Sequence, residues 1–263
     1  MAKIIVITSG KGGVGKTTTA INLGAAMNHF GKDVLIVDAN LTTPNVGIHL
    51  GSPEVPINLN HILNGDAEVF EGVYEHESGV KIIPSSLSVK ELDKIKPEKL
   101  KNYKKDFKKI ADYIIVDSSA GLGNEALSAI DFADDLIIVS NPEMTAITDA
   151  LKAAKIAENK KKNILGVIMT RVRKDEIELS PSTVKDMLEM PVLGMVPEDM
   201  TIKESLNEKD AVIHLSPKSK AARAYKEIAS EILGVDYDSN QDKEGFFEKL
   251  LNAFGMGSKK KKE

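Results

Sequence analysis

The chain alternates short runs of β-branched and aliphatic residues with longer stretches in which apolar residues recur at helical spacing. Runs of this kind are typical of strands buried on both faces of a parallel sheet. The predicted strands lie at residues 3–8, 33–38, 80–84, 113–117, 136–140, 164–170 and 192–196. A closing amphipathic helix is predicted at 217–233, ended by Gly234. The alternation predicts an α/β fold with a doubly wound, mainly parallel sheet and helices on both faces.

A glycine-rich stretch lies between the first predicted strand and a helix predicted at residues 16–30. Its sequence, Ser-Gly-Lys-Gly-Gly-Val-Gly-Lys-Thr-Thr at 9–18, fits G-x-x-x-x-G-K-S/T, the phosphate-binding P-loop. Glycines let the backbone point successive N–H groups inward, and the helix N-terminus adds the positive end of its dipole. Lys16 is expected to reach the β- and γ-phosphates of ATP, and the Thr17 hydroxyl to bind Mg²⁺. The predicted phosphate-binding residues are Gly10, Lys11, Gly12, Gly13, Val14, Gly15, Lys16, Thr17 and Thr18.

Two acidic residues end predicted strands on the side of the sheet where the P-loop lies. Asp38 ends the strand at 33–38, and Asp117 ends the run Tyr-Ile-Ile-Val-Asp at 113–117, which has the Walker B pattern. Ligands of an open α/β sheet bind outside the carboxyl ends of its strands. We therefore predict that Thr17, Asp38 and Asp117 hold Mg²⁺ beside a bound ATP.

A second lysine, Lys11, stands beside the first glycine of the loop, where a plain P-loop needs none. The sequence Lys-Gly-Gly-Val-Gly-Lys-Thr at 11–17 resembles the deviant Walker A motif of the MinD/ParA family of dimerising ATPases, and the resemblance extends over residues 2–255. It implies that Lys11 crosses a dimer interface to the phosphates of the partner's nucleotide. Lys16 would act within its own chain.

The sequence departs from the family pattern at two positions. The family has Asp-x-Asp after the second strand, where this chain has Asp-Ala-Asn at 38–40. The resemblance assigns Asn40 the role of orienting the attacking water, although an amide cannot accept a proton. Ser119 replaces the usual proline of the segment that senses the γ-phosphate. Because positioning dominates in a loose phosphoryl transfer, we expect slow ATP hydrolysis rather than none.

Residues 141–149, Asn-Pro-Glu-Met-Thr-Ala-Ile-Thr-Asp, also resemble the family, in which they lie at the dimer and partner-binding surface. The resemblance implies that Glu143 contacts a ribose across the dimer and that a protein partner binds near Asp149. Both acids also suit a plain helix N-terminus. Arg171 would lie on the adenine. The remaining base-framing residues would be Pro197, Glu198 and Asp199.

Composition and charge disfavour several classes of protein function. The chain has 263 residues, 42% of them hydrophobic, a net charge of −4 and no cysteine, which disfavours a cysteine-ligated metal-cluster carrier. Residues 94–109 contain eight lysines, but the apolar residues between them recur at helical spacing. This spacing predicts a helix that buries its apolar face and leaves most of the lysines on the opposite, solvated face. Nucleic acid is therefore an unlikely partner. With a strand at the very start and no apolar run near 18 residues, we expect neither a signal peptide nor a spanning helix, and a cytoplasmic protein.

The C-terminal stretch carries the second functional pattern. Residues 1–234 are predicted to form the ATPase domain, 235–243 a flexible linker, and 244–263 an amphipathic helix with a lysine-rich end. One face of this helix collects five large apolar residues, Phe246, Phe247, Leu250, Leu251 and Phe254. Such a face beside basic charge is typical of a helix lying on anionic lipid, although it also fits packing on a partner or on the core.

Together with the C-terminal pattern, the resemblance implies a MinD-like ATPase that binds MgATP, forms a homodimer on ATP and lies peripherally on the inner face of the cell membrane. Its role would be spatial positioning, such as placement of the division site. Three alternatives stay open: a ParA-like DNA- or cargo-partitioning ATPase, a flagellar-number regulator, and a nucleotide-dependent scaffold with negligible turnover.

Overall fold

The computed structural model describes residues 2–88, 91, 95–173 and 175–238. The predicted membrane-targeting helix at 244–263 lies outside the described residues. The strands are β1 (Lys3–Thr8), β2 (Val34–Ala39), β3 (Tyr74–Glu75), β4 (Lys81–Ile83), β5 (Tyr113–Ser118), β6 (Asp135–Ser140), β7 (Asn163–Val172) and β8 (Val192–Pro197). They form one sheet in the order β3-β4-β2-β5-β1-β6-β7-β8, in which only the β3–β4 pair is antiparallel.

The helices follow the strands as the α/β pattern predicts. They are α1 (Lys16–His29), α2 (Val46–His49), α3 (Leu59–Asn64), α4 (Lys104–Phe107), α5 (Asn124–Phe132), α6 (Met144–Asn159), α7 (Pro181–Leu188), α8 (Met200–Asn207), α9 (Val212–Leu215) and α10 (Lys220–Leu233). Two 3₁₀ helices, Val69–Gly72 and Pro97–Tyr103, lie between them. The order of elements confirms the predicted fold class.

The central strand β1 shows why the sheet must be covered on both faces. Successive side chains of a strand point to opposite faces, so Ile5 and Ile7 pack into the core under α1 and α10. Ile4 and Val6 pack into the opposite core, which includes Phe107. A third cluster joins β6 and β7 to α6 and α7.

Two regions differ from the sequence expectation. Strand β3 was not predicted, because two residues at a sheet edge, Tyr74–Glu75, present no alternation to read. The lysine-rich stretch is a 3₁₀ helix followed by one α-helical turn rather than a continuous α-helix. Its apolar residues Leu100 and Phe107 are nevertheless buried, as their spacing indicates.

Acidic groups neutralise part of the lysine-rich stretch. Lys104 and Lys108 lie 2.9 and 2.7 Å from the carboxylate of Asp134, which also accepts the backbone N–H of Ile4 at 3.0 Å. Lys109 pairs with Asp106 at 2.7 Å. Burial opposes ionisation of Asp134, but the hydrogen bonds from the two lysines and from Ile4 outweigh it and lower the pKa of Asp134 to about 2.

We predict that Asp134→Asn lowers the free energy of unfolding by about 1–2 kcal/mol at pH 7, because the depressed pKa of Asp134 stabilises the fold while this group is ionised. The stabilisation is present above the unfolded pKa near 3.8 and is lost as pH falls toward 2. Urea unfolding between pH 7 and pH 2 measures it. Asp106→Asn, which removes an exposed pair, is the matched control and should change little. A difference between Asp134→Asn and wild type that stays constant down to pH 2 would contradict the assignment.

The start of the P-loop packs directly on α6. A Cβ built on Gly10 would lie 2.0 Å from the carbonyl oxygen of Asp149, whereas one built on Gly12 would meet nothing nearer than the Cβ of Ala120, at 3.7 Å. Gly10 is therefore required by a close approach of two backbones.

We predict that Gly10→Ala lowers the free energy of unfolding by about 2 kcal/mol or more, because either the loop or α6 must shift. Gly12→Ala should stay within about 0.5 kcal/mol of wild type. Denaturant unfolding without nucleotide compares the two variants. Equal losses for both would show that the contact with Asp149 is not the constraint.

Candidate functional site

The P-loop connects β1 to α1 at the carboxyl edge of the sheet, as predicted. Gly13 and Gly15 adopt positive φ values of 78° and 93°, a region that only glycine enters without strain. Gly15 is the N-cap residue of α1, and no side chain caps this helix end. The first N–H groups of α1 therefore lack helical partners and are suited to bind an anion.

Lys16, Thr17 and Asp117 meet at the base of the loop. The Thr17 hydroxyl donates a hydrogen bond of 2.6 Å to Oδ2 of Asp117, the penultimate residue of β5. Lys16 is only 8% exposed, and burial lowers the pKa of its ammonium group while the charge of Asp117 opposes this change. The structure thus brings Asp117 to Lys16 and Thr17, although 100 positions separate Thr17 from Asp117.

Asp38 lies beside this group and is fully buried at the end of β2. Its carboxylate accepts the backbone N–H groups of Asn40, Asn45 and Val46 at 3.1, 2.8 and 2.9 Å. Burial, reinforced by the charge of Asp117, nonetheless raises the pKa of Asp38. Burial also raises the pKa of Asp117, against the Thr17 hydrogen bond and the charge of Lys16.

These two carboxylates fit a Mg²⁺ site. Oδ1 of Asp117 is buried and has no hydrogen-bond partner in the described part of the chain, so one acceptor stays open. A divalent cation would offset the repulsion between Asp38 and Asp117. No group of three His, Cys, Asp or Glu side chains among the described residues is arranged as a metal cluster. Proteins hold Mg²⁺ through one or two carboxylates together with water and substrate phosphates.

Asn40 lies on the loop that follows β2, at the same carboxyl edge of the sheet as the P-loop, which we call the rim. Its Nδ2 donates to the carbonyl oxygen of Thr43 at 2.5 Å, and its Oδ1 accepts from the Thr43 hydroxyl at 3.1 Å. The amide is therefore held by its own loop. Its position depends on the conformation of residues 41–45.

Lys11 and Glu143 project from the rim into solvent. Their Nζ and Oε2 atoms are 4.0 Å apart, and their side chains are 47% and 59% exposed. A pair this exposed contributes little to stability. Asp149 contributes its backbone to the contact with Gly10, while its side chain pairs with Lys152 at 3.0 Å.

A cavity of about 280 Å³ opens beside Gly15 and Thr18. It is lined by the predicted base-framing residues, Arg171, Pro197, Glu198 and Asp199. Arg171 has a positive φ of 55°. The Asp199 side chain caps α8, since it accepts the Thr201 N–H at 3.1 Å, and it also accepts the Ala221 N–H at 3.2 Å. This carboxylate therefore shapes the cavity wall.

The sequence did not reveal several supports of the site. The Thr170 hydroxyl lies 2.5 Å from the carbonyl oxygen of Val14 and braces the P-loop against β7. The Gly121 N–H donates to the carbonyl oxygen of Ser9 at 3.1 Å and joins the segment after β5 to the same loop. Glu125, in the first turn of α5, contacts Thr42 on the Asn40 loop. Neither Thr170 nor Glu125 belongs to a motif that could have identified it.

Comparisons with known proteins agree with this geometry. A ParA family model, described as NUBPL iron-transfer P-loop NTPase, matches residues 1–233. An ATP-binding protein of Methanocaldococcus jannaschii is 38% identical over 253 residues, 95% of this chain and 96% of its own length. The septum site-determining protein MinD of Buchnera aphidicola is 31% identical over 274 residues, covering 95% and 99% of the two chains.

A solved structure shows the same fold. The septum site-determining protein MinD of Pyrococcus horikoshii, complexed with Mg-ADP, superimposes with a TM-score of 0.85 at 36% identity and covers 88% of this chain and 96% of its own. Relatives of this kind support nucleotide and Mg²⁺ binding in the family. The family model and the end-to-end matches place this protein in the MinD/ParA family of P-loop ATPases.

Proposed function

We propose that the chain binds MgATP, dimerises through the nucleotide-binding rim, hydrolyses ATP slowly, and uses the ATP-bound dimer to hold a C-terminal helix on anionic membrane. The observation that carries this proposal is the P-loop itself, with Lys16, Thr17 and Asp117 brought together beneath it and Lys11 exposed beside it. The first group fits a nucleotide in its own chain. Lys11 is free to reach outward.

The residues have separate tasks in hydrolysis. When bound, Mg²⁺ supplies positive charge to the phosphates, and Thr17, Asp117 and Asp38 would hold it. Lys16 and the N–H groups of the P-loop bind and orient the phosphates. Asn40 orients the attacking water but takes no proton, which supports slow turnover.

Features of the rim support a second copy of the chain as partner. Met144 is 56% exposed, and Ile177 is 92% exposed beside the cavity that Glu143 lines. Large apolar side chains at such exposure are suited to a covered interface. The opposite charges of Lys11 and Glu143 on one rim allow each copy to pair with the other.

The position at which the described chain ends supports an indirect effect of the nucleotide on the C-terminal helix, through dimerisation. The Tyr237 ring packs on Phe30 with centroids 5.7 Å apart, next to the end of α1. The 14 residues of α1 rise about 21 Å from the P-loop, so the tail departs far from the nucleotide. No helix in the described ranges is long and apolar enough to span a bilayer. Dimerisation offers the connection, since two weak helices on one dimer gain affinity by avidity.

The biological role we infer is spatial positioning, such as division-site placement, by a cytoplasmic protein that lies reversibly on the inner membrane face. The names of the Buchnera and Pyrococcus relatives support this role. A DNA-partitioning role is less well supported, since acidic residues pair with Lys104, Lys108 and Lys109 in the lysine-rich stretch. A flagellar-number regulator would use the same C-terminal helix. A scaffold would form the same dimer but would hydrolyse a negligible amount of ATP.

One experiment tests the proposal. The full-length chain is incubated with anionic liposomes and Mg²⁺ plus ATP or ADP, and both pelleted protein and released phosphate are measured. We expect ATP to raise pelleting about tenfold over ADP through bivalent binding. A chain ending at Asp242 should release phosphate without pelleting.

Lys16→Ala is the control for both readouts and should abolish them. Neutral liposomes and high salt should weaken pelleting, since the lysine-rich end acts through charge. Pelleting that is indifferent to nucleotide would contradict the membrane switch. ATP-dependent pelleting without phosphate release would favour the scaffold.

A further inference from the structure

The loop that carries Asn40 is held by a side chain from another element, Glu125 of α5. Glu125 accepts hydrogen bonds from the Thr42 hydroxyl and from the Thr42 backbone N–H, the latter at 3.4 Å. Leu41, between Asn40 and Thr42, is buried at 3% exposure and anchors the chain beneath. Thr42 is therefore the point at which a neighbouring element fixes the exposed part of the loop.

Glu125 belongs to helix α5, and the segment that precedes this helix contacts the P-loop. It lies in the first turn of α5, where the helix dipole favours a carboxylate. The segment just before α5 packs on the P-loop, since Gly121 donates its N–H to Ser9 and Ala120 lies beside Gly12. The contact between Thr42 and Glu125 thus joins the Asn40 loop to the segment that touches the P-loop.

We propose that Glu125 is a positioning residue for ATP hydrolysis, which acts through Thr42 to hold the Asn40 loop in register with the P-loop. This inference rests on the proposed ATPase activity. Asn40 cannot act as a base, so its contribution depends on where its amide lies. The amide is bonded on both sides to Thr43, the neighbour of Thr42, and moves with the loop.

The positions of Thr42 and Glu125 predict an effect on the rate of ATP hydrolysis and none on the affinity for ATP. Neither Thr42 nor Glu125 belongs to the P-loop or lines the cavity beside Gly15. Loss of their contact should leave the affinity for ATP unchanged and reduce the rate of the hydrolytic step. A residue that only stabilises the fold would instead change the unfolding midpoint, or both kinetic quantities together.

Thr42→Val and Thr42→Ser form a matched pair for the test. Valine keeps the shape and the backbone N–H but lacks the hydroxyl, whereas serine retains the hydroxyl. We expect Thr42→Val and Glu125→Ala each to lower single-turnover phosphate release at saturating Mg²⁺ and ATP about tenfold. Thr42→Ser should restore most of the rate. The dissociation constant for ATP and the thermal midpoint should stay within about twofold and about 2 °C of wild type.

The double variant completes a thermodynamic cycle. If the two residues act as one contact, Thr42→Val combined with Glu125→Ala should be no slower than either single change. Equal rates for Thr42→Val and Thr42→Ser, or multiplied losses in the double variant, would overturn the positioning role alone. A wild-type chain that releases no more phosphate than Lys16→Ala would overturn the proposed function, and the positioning role with it.

Discussion

Two buried carboxylates beneath a loop of glycines impose the constraint on which this rim depends. Asp38 and Asp117 are the penultimate residues of neighbouring strands, and both are fully buried. Burial and mutual repulsion disfavour their charged forms, so the site is costly unless positive charge is brought to it. Lys16 supplies one such charge from the start of α1, and the open oxygen of Asp117 is available to a cation. A divalent cation at this site would offset the charge of the two carboxylates.

Further contacts connect the P-loop to the neighbouring elements of the rim. Backbone contacts set the P-loop against α6 at Gly10 and Asp149, and hydrogen bonds join it to β7 and to the segment after β5. Helix α6, which meets the P-loop at Gly10, carries Asp149, and Glu143 is its N-cap residue. This continuity gives a physical route from nucleotide to the face at which we propose that a second copy binds.

The sequence predicted those parts of the molecule that depend on local pattern. The buried strands, the P-loop and Asp117 each follow from residue types at fixed spacing, and the structure has them within a few residues of the predicted bounds. Long-range pairings have no such signal. The contact between Thr170 and Val14 spans 156 positions, and that between Glu125 and Thr42 spans 83. Asp199 was predicted to frame the base through its backbone, whereas the capping of α8 by its carboxylate was not predicted.

We propose that the bound nucleotide controls dimerisation through the rim. The most direct measurement is sedimentation equilibrium of the full-length chain with Mg²⁺ and either ATP or ADP, together with Lys11→Ala. We expect twice the monomer mass with ATP, the monomer mass with ADP, and a monomer for Lys11→Ala that still binds ATP. A mass that is the same with both nucleotides, or a Lys11→Ala variant that dimerises as the wild type does, would contradict it.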